Sequence, residues 1–379
     1  DAAGRLAEAL GDSSPEVQGA ACWALGKLGE KGSQSAATVA KKLGEPRCRA
    51  QAVTALSLMG SAGATYCEDV CGCLADPDAD VRVAAAVAVG KMGRAVRGSA
   101  AWDTVTETLS HPDGQSRAAA ALALGYMGTE GADQCDALLA LLEDEFEESA
   151  ANALTVGGCR PGLPASFRKT KCAAAAALGM IAASNAASVN TRKVAEEVAR
   201  LLHEDSWESR AAACDSLALM GSQASDQAMK LSTLFDDHQY LVRACAARAC
   251  GKLGDASSSS ALVDLLSDKA PTVREAALLA LADLDADDVS EFIGKVVEML
   301  TDASPAVRAA ACMALSQMGD KGKLYASAVA QHLDFEEASV VRVAALRALQ
   351  TMGSRGKVFV QDLSEYLEDH DPQVRLPAP

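Results

Sequence analysis

The stretch DPDADVRVAAAVAVGKMG, residues 76–93, recurs as DASPAVRAAACMALSQMG at residues 302–319. Each copy has an aspartate, an arginine six residues later, a run of small apolar residues and a closing Met-Gly. In the first copy, apolar residues from Val81 to Met92 recur at i, i+3, i+4, i+7, i+8 and i+11, which is one face of an α-helix. The pattern therefore predicts an amphipathic helix that ends at a glycine C-cap.

The arginine and the closing glycine recur eleven residues apart along most of the chain. The pairs are Arg49 and Gly60, Arg82 and Gly93, Arg117 and Gly128, Arg210 and Gly221, Arg243 and Gly254, Arg308 and Gly319, and Arg342 and Gly353. A second helical segment precedes each block. Each unit is therefore predicted to be a hairpin of a first and a second helix. Pro15, Pro271 and Pro305 suit the first turn of the second helix.

The composition supports helices rather than strands. Of the 379 residues, 49% are apolar but only 4% are aromatic, and alanine dominates the apolar set. Alanine is the best helix former, and its small side chain lets neighbouring backbones approach closely. The predicted class is all-α.

Charge and hydropathy argue against two kinds of partner. The net charge of −16 and the pI of about 4.8 would repel a phosphate backbone. The longest uncharged, mostly apolar run, Cys172 to Ser184, is too short to cross a bilayer. We expect no direct nucleic-acid binding, no membrane insertion and an intracellular, cytoplasmic location. An organelle stays open, because the sequence begins without Met and a targeting segment could have been removed.

The consensus D-x-x-x-x-V-R-x-A-A-x-x-A-L-x-x-M-G resembles the HEAT repeat, in the short alanine-rich form that is also found in phycobilin lyases. The resemblance covers nearly the whole chain. It implies an α–α superhelix, a solenoid of the HEAT or armadillo type, with about ten helical hairpins and a truncated eleventh. It specifies the fold far better than the function, because such solenoids serve unrelated tasks.

In the HEAT family, the aspartate and the arginine six residues later form ladders between neighbouring units. The corresponding residues here are Asp76 and Arg82, Asp237 and Arg243, Asp268 and Arg274, Asp302 and Arg308, Asp369 and Arg375, and Arg342 at the arginine position of a further unit. We expect each aspartate to pair with the arginine six residues after it, because an unpaired charge at a packed junction is costly. The alternative is a row of charged ligand sites.

The repeat is interrupted once. Gly128 and Ala182, which takes the next clear glycine position, lie 54 residues apart. We place HEAT-like repeats at 1–142, an insertion at 143–167 and further repeats at 168–379, in one continuous solenoid. The insertion either carries function as a projecting loop or is inert. At the other end, LPAP follows DPQVR, and we expect an eleventh hairpin without its second helix. Either the chain is then a piece of a longer array, or another protein covers the exposed end.

The sequence offers little for catalysis or metal binding. Of the twelve cysteines, Cys22, Cys214 and Cys312 occupy the same repeat position, which is typical of buried packing residues. The stretch CEDVCGC at 67–73 has a ligand-like spacing but lacks a second cysteine cluster. The histidines lie near predicted turns, and no phosphate-binding loop or nucleophile elbow is present. We therefore predict no catalytic residue, no cofactor and no metal.

One row of the second helices is unexpectedly apolar. Positions ten, six and two or three before the closing glycine would line the concave side of a HEAT solenoid. The row contains Trp23, Val83, Val87, Leu122, Tyr126, Leu279 and Met313. Such a row either marks a partner-binding face or is already buried by neighbouring helices.

These observations favour a non-enzymatic scaffold or structural subunit that binds protein partners on its concave face within a larger assembly. An alternative follows from the resemblance to phycobilin lyases, namely a factor that attaches a tetrapyrrole to a cysteine. Absorbance of the purified chain after mixing with a bilin would separate the two hypotheses.

Overall fold

The computed structural model describes residues 2–144, 169–284, 292–334 and 337–359. In these ranges the regular secondary structure is α-helix and 3-10 helix, without a β-strand. The predicted all-α class is therefore confirmed. The chain divides into two compact units, Asp1–Leu201 (unit 1) and Leu202–Pro379 (unit 2).

Unit 1 contains twelve described α-helices. They are α1 (Ala2–Ala9), α2 (Pro15–Lys27), α3 (Ala36–Lys41), α4 (Arg49–Leu58), α5 (Gly60–Ala64), α6 (Cys67–Gly72), α7 (Ala79–Arg97), α8 (Ala101–Thr108), α9 (Gly114–Met127), α10 (Cys135–Ala140), α11 (Thr170–Ala183) and α12 (Thr191–Val198). The second helices of the hairpins are α2, α4, α7, α9 and α11, and each packs on the next in this order.

Unit 2 repeats the arrangement with eleven described α-helices. They are α13 (Trp207–Met220), α14 (Ala228–Ser232), α15 (Tyr240–Leu253), α16 (Ser259–Asp264), α17 (Pro271–Asp283), α18 (Ile293–Glu298), α19 (Pro305–Gln317), α20 (Gly319–Gly322), α21 (Ala326–Ala330), α22 (Ser339–Thr351) and α23 (Ser354–Lys357). The second helices α13, α15, α17, α19 and α22 again pack in sequence order. The described residues thus contain ten second helices, as the repeat count predicts.

The second helices begin where their sequences predict. Pro15, Pro271 and Pro305 are the first residues of α2, α17 and α19. Proline suits this position because its fixed φ is helical and its missing N–H would have no partner in the first turn. At α2 the Ser14 hydroxyl also accepts a hydrogen bond from the Val17 amide, which caps the helix.

Glycine and alanine bring neighbouring second helices into backbone contact. A Cβ added at Gly125 of α9 would lie 2.7 Å from Cα of Ala177 in α11. A Cβ added at Gly90 of α7 would lie 2.2 Å from Cβ of Tyr126 in α9. Both glycines stand three residues before the closing glycine. The core between these helices is thin, and any larger residue at these positions would force the backbones apart.

The closing glycines end most of the second helices. Gly29, Gly60, Gly128, Gly221, Gly254, Gly319 and Gly353 all have φ between +56° and +71°, a conformation that L-residues rarely adopt. A further glycine often follows three residues after the closing glycine, and its Cα packs closely against the backbone of the preceding helix. At Gly131, for example, an added Cβ would lie 2.5 Å from the carbonyl oxygen of Leu124.

The predicted helix stop at Gly93 is wrong. Helix α7 continues through Gly93 to Arg97, and Gly93 is absent from the glycines with positive φ. The residue three positions after it is Val96 rather than glycine. In the continued helix Val96 is fully buried, so the additional turn contributes an apolar side chain to the core.

A fork of charge-assisted hydrogen bonds connects several hairpins to the hairpin that follows. Arg274 donates from Nε and Nη2 to the two carboxylate oxygens of Asp302, both at 2.8 Å. The same fork joins Arg117 to Asp144, Arg210 to Asp237, Arg243 to Asp268 and Arg308 to Glu337, and Arg49 donates to Asp76. In each case the carboxylate lies 25 to 29 residues after the arginine.

Each fork also fixes the turn before the second helix. The Asp302 carboxylate accepts from the Ser304 amide at 2.8 Å, and the Asp302 carbonyl accepts from Nη1 of Arg308 at 2.7 Å. The hydrogen bond from Arg274 lowers the pKa of Asp302, and the one from Arg308 lowers the pKa of Glu337 to about 2. Both carboxylates are therefore ionised and held by the preceding hairpin.

The expected partners within these pairs need correction. Asp237 and Arg243, Asp268 and Arg274, and Asp302 and Arg308 do meet, but each arginine donates to the backbone carbonyl of its aspartate. The carboxylate binds the arginine of the preceding hairpin instead. The same holds for Asp76, whose carbonyl accepts from Arg82 and whose carboxylate accepts from Arg49. A periodic spacing gives the position of a residue in its own hairpin but not which neighbour its side chain reaches.

Two junctions vary the pattern. His111 stands where the next hairpin usually has its carboxylate, and Arg82 donates to the side-chain oxygen of Gln115. Arg342 donates to the carbonyl of Glu337, five residues before it. Asp369 and Arg375 lie outside the described residues.

Other predictions also fall outside the described ranges. The insertion at 143–167 is described only at Glu143 and Asp144, and the truncated eleventh hairpin is not described. Helices α10 and α11 flank the insertion in sequence, and the second helices α9 and α11 pack directly against each other. In sequence, residues 145–168 therefore lie between α10, the first helix of a hairpin, and α11, the second helix of the same hairpin.

We expect the forks to be energetically coupled between hairpins and not within them. A double-mutant cycle of Arg274→Ala and Asp302→Ala should give a coupling energy of about 1–3 kcal/mol, because a charge-assisted pair is lost. The cycle of Asp302→Ala and Arg308→Ala should give less than about 0.5 kcal/mol, because alanine keeps the carbonyl that Arg308 binds. Urea denaturation would measure both, and a larger coupling in the second cycle would contradict this geometry.

We expect Gly125→Ala to lower the free energy of unfolding by about 1–3 kcal/mol, because the new Cβ would meet the backbone at Ala177. Gly72→Ala in α6 is the matched control. No atom lies within 4 Å of a Cβ added there, so the better helix former should be neutral or stabilising by about 0.5–1 kcal/mol. Equal losses in thermal denaturation would show that close approach is not the cause.

Candidate functional site

The residues of the predicted partner-binding row differ in their solvent exposure. Trp23, Tyr126 and Leu279 are exposed, and Val83, Val87 and Met313 are half-buried. Leu122 is only 1% exposed and belongs to the core. Its helix, α9, is drawn close to α7 at Gly90 and to α11 at Ala177, so its flank is covered. The prediction that Leu122 lies on an open face is therefore wrong.

In unit 1 the row forms the floor of an open groove across α2, α4 and α7. The groove has a volume of about 800 Å³. Its lining includes Trp23 from α2, Thr54 from α4, and Val83, Val87 and Lys91 from α7. The register of the repeat explains this convergence, since Trp23, Thr54 and Val87 each stand six residues before a closing glycine.

Trp23 is the most distinctive side chain of the groove. It is 52% exposed, although tryptophan is mostly covered in folded proteins. The Lys27 ammonium lies 5.4 Å from the centroid of its ring, within the range of a cation–π interaction. The indole is thus held at the groove while one face of it remains available.

The corresponding row of unit 2 has a different chemistry. Arg248 donates to Asp215 at 3.3 Å, and Lys252 donates to Asp283 at 2.9 Å. These charged residues of α13, α15 and α17 neutralise one another across neighbouring helices. Leu279 and Met313 lie in the same row as these two ion pairs.

The cysteines are packing residues in this structure. Cys22, Cys214 and Cys312 are fully buried, and so are Cys48 and Cys172. In the ligand-like stretch, burial raises the pKa of Cys71 to about 12 and that of Cys73 to about 11. Thiols with such pKa values are poor nucleophiles and poor metal ligands at neutral pH.

The described residues provide no further candidate centre. Within them, no group of three or more His, Cys, Asp or Glu side chains is placed to hold a metal ion. The residues that line the groove include no histidine and no cysteine. The hydroxyls of Thr54 and Ser57 donate to carbonyls of their own helix. None of the described helices combines the length and the apolar character that spanning a membrane requires.

Sequence reasoning missed the charged residues that line the groove, namely Glu16, Arg47 and Asp80. All three stand thirteen residues before a closing glycine, so extending the repeat alignment upstream of the ladder arginine would have found them.

The family profile described as "HEAT repeats" matches residues 68–155, 229–295 and 285–350, and the profile described as "HEAT repeat" matches residues 4–32. These matches confirm the family predicted from the consensus. The comparison with curated proteins gave no match.

Solved structures of HEAT-like solenoids are similar in fold. Kap95p, in the structure of its binding to RanGDP, is 16% identical over 96% of this chain and 53% of its own, with a TM-score of 0.57. The karyopherin Kap121p bound to the SUMO protease Ulp1p is 12% identical over 99% of this chain and 44% of its own, with a TM-score of 0.54. The complex of CpcE and CpcF of phycocyanin lyase from Nostoc sp. PCC7120 is 21% identical over 70% of this chain and 94% of that chain, with a TM-score of 0.44. The chain thus spans about half the length of these two karyopherins.

We expect the native cysteines to resist alkylation. Among the described cysteines only Cys135 is half-exposed, so brief treatment with iodoacetamide should label it before the other described cysteines, which should react only after urea is added. Peptide mapping by mass spectrometry would locate the label. Rapid native labelling of Cys67, Cys71 or Cys73 would instead reveal an accessible thiol site in that stretch.

Proposed function

The chain belongs to the HEAT-repeat family, and we propose that it is a non-enzymatic protein-binding scaffold whose docking site is the groove of unit 1. The observation that carries the proposal is the half-exposed Trp23 on the floor of an open groove of about 800 Å³. Exposed apolar surface bordered by polar residues is typical of protein-binding sites, and tryptophan is among the residues that contribute most to binding.

The chemistry of the groove supports binding rather than catalysis. Its floor presents an indole, two valine side chains and methyl groups of alanine. Its polar lining residues come from three successive repeats and include no histidine or cysteine that could act as a base or a thiol nucleophile. An extended contact surface of this kind suits a protein partner.

The similar solenoids support a protein partner at the level of the fold. Kap121p has been solved bound to Nup53p and bound to Ulp1p, so a HEAT solenoid of related backbone can bind other proteins. A stack of hairpins suits this task, because each second helix adds one strip of side chains to a continuous surface. We propose that this chain uses its strips at α2, α4 and α7 in the same general way, as a subunit of a larger assembly.

The test is affinity purification of the tagged chain from the source cells, with partners identified by mass spectrometry. Trp23→Glu should remove the specific partners, because losing a buried tryptophan anchor weakens binding by tenfold or more. Met229→Glu is the matched control, since Met229 in α14 is the most exposed large apolar residue described and lies outside the groove.

Both substitutions change exposed residues, so the thermal midpoints should stay close to that of the parent chain. Partners that survive Trp23→Glu but are lost with Met229→Glu would place the binding surface elsewhere. A partner identified in this way can then be titrated against the parent and variant chains by calorimetry.

A further inference from the structure

The groove of unit 1 lies between two lines of charge. Glu16 and Asp80, thirteen residues before their closing glycines, lie in the first turns of α2 and α7. Lys27 and Lys91, two residues before the same glycines, lie eleven residues further along these helices. Eleven residues are about three turns, so on each helix the two charged residues lie on one face with their Cα atoms about 16 Å apart along the axis. Trp23, Val83 and Val87 lie between the two lines.

Asp80, Lys27 and Lys91 present charge to a partner, whereas Glu16 is already engaged by Ser14 and influenced by Arg47. Asp80 and Lys91 form no ion pair with any other described residue, and Lys27 contacts the Trp23 ring rather than a carboxylate. The Ser14 hydroxyl donates to Glu16 and lowers its pKa, so Glu16 is ionised. Arg47 occupies the same repeat position as Glu16 and Asp80, in the hairpin between theirs. Its positive charge reduces the net negative charge of this line. The lysine line is therefore the stronger of the two.

The groove floor favours a helical occupant over an extended one. The backbone groups of α2, α4 and α7 are engaged within their own helices, and the Thr54 and Ser57 hydroxyls are engaged as well. An extended peptide would lose hydration of its backbone without gaining partners, whereas an α-helix satisfies its own backbone. A helix with side chains is about 10–12 Å wide, which fits between lines about 16 Å apart.

We propose that the occupant is an amphipathic α-helix of a partner protein that lies across α2, α4 and α7. Its apolar stripe would contact Trp23, Val83 and Val87. One flank would carry carboxylates that face Lys27 and Lys91, and the other would carry basic side chains that face Glu16 and Asp80. Neighbouring packed helices are about 8–10 Å apart, so a crossing of three helices needs about 12 residues of the partner. This inference rests on the proposed function and specifies the chemistry of its partner.

Three synthetic 18-residue helices test the charge pattern. They share one stripe of Leu and Phe and differ only in their flanks, which carry Glu and Arg, Glu on both sides, or Arg on both sides. Fluorescence anisotropy with the labelled peptides would give the affinities for the full chain. The Glu and Arg peptide should bind tightest. The peptide with Arg on both sides should bind about tenfold more weakly, because it loses the ion pairs with Lys27 and Lys91 and each exposed pair contributes modestly to the binding free energy.

Charge reversal on the protein should invert this order. Lys27→Glu with Lys91→Glu should weaken the Glu and Arg peptide about tenfold and strengthen the peptide with Arg on both sides. Lys41→Glu with Lys321→Glu is the matched control, since it changes the net charge equally at exposed lysines outside the groove. The control should leave the order of the peptides unchanged.

The remaining outcomes overturn the inference in distinguishable ways. Equal binding of all three peptides that is lost with Trp23→Ala would leave the groove as a docking site but refute its charge pattern. Binding that is insensitive to Trp23→Ala would refute both the inference and the proposed function. If no peptide binds, and sedimentation shows self-association that Trp23→Ala abolishes, the occupant is a second copy of this chain.

Discussion

The fork from an arginine to the carboxylate of the next hairpin is the interaction on which the structure depends. One carboxylate, such as that of Asp302, accepts two hydrogen bonds from Arg274 and one from the Ser304 amide. The backbone carbonyl of Asp302 accepts a hydrogen bond from Arg308, and Arg308 in turn donates to the carboxylate of Glu337 in the next hairpin. Each junction therefore fixes the turn, the start of the second helix and the register of two hairpins at once. Because these groups are largely buried, replacing one partner leaves a charge that water cannot fully solvate.

Close approach of the helices is the second constraint. Arginine and carboxylate can meet at these junctions only if the second helices lie near each other, and residues such as Gly125 and Ala177 permit this. The stack consequently buries little volume per hairpin, and its stability is distributed over many similar contacts. This explains why the chain is rich in alanine yet poor in aromatic residues.

The sequence predicted the hairpins, their second helices and the residues of the ladder, because all of these repeat with the same spacing. It did not predict that Asp302 binds Arg274, since periodicity is identical for the preceding and the following neighbour. Nor did it predict the burial of Leu122, which depends on how close α7 and α11 come to α9. Trp23 was found at its register position, whereas Glu16 and Asp80 were missed because they lie upstream of the aligned motif. The repeating sequence pattern thus predicts where the helices lie, whereas the contacts and the exposure of individual side chains depend on how the helices pack.

The repeat leaves only a few positions free to differ, and the function has to lie in them. Ladder residues, alanines and glycines are required by the fold, whereas the residues thirteen, six and two positions before the closing glycine vary without disturbing it. In unit 2 these positions include Asp215, Arg248 and Lys252, whose charges are satisfied within the protein. In unit 1 they include Trp23, Asp80 and Lys91, whose exposed apolar and charged groups are not. Unit 2 thus carries two ion pairs between neighbouring second helices at these positions, whereas Trp23, Asp80 and Lys91 of unit 1 remain open, which is why we propose the docking site in unit 1.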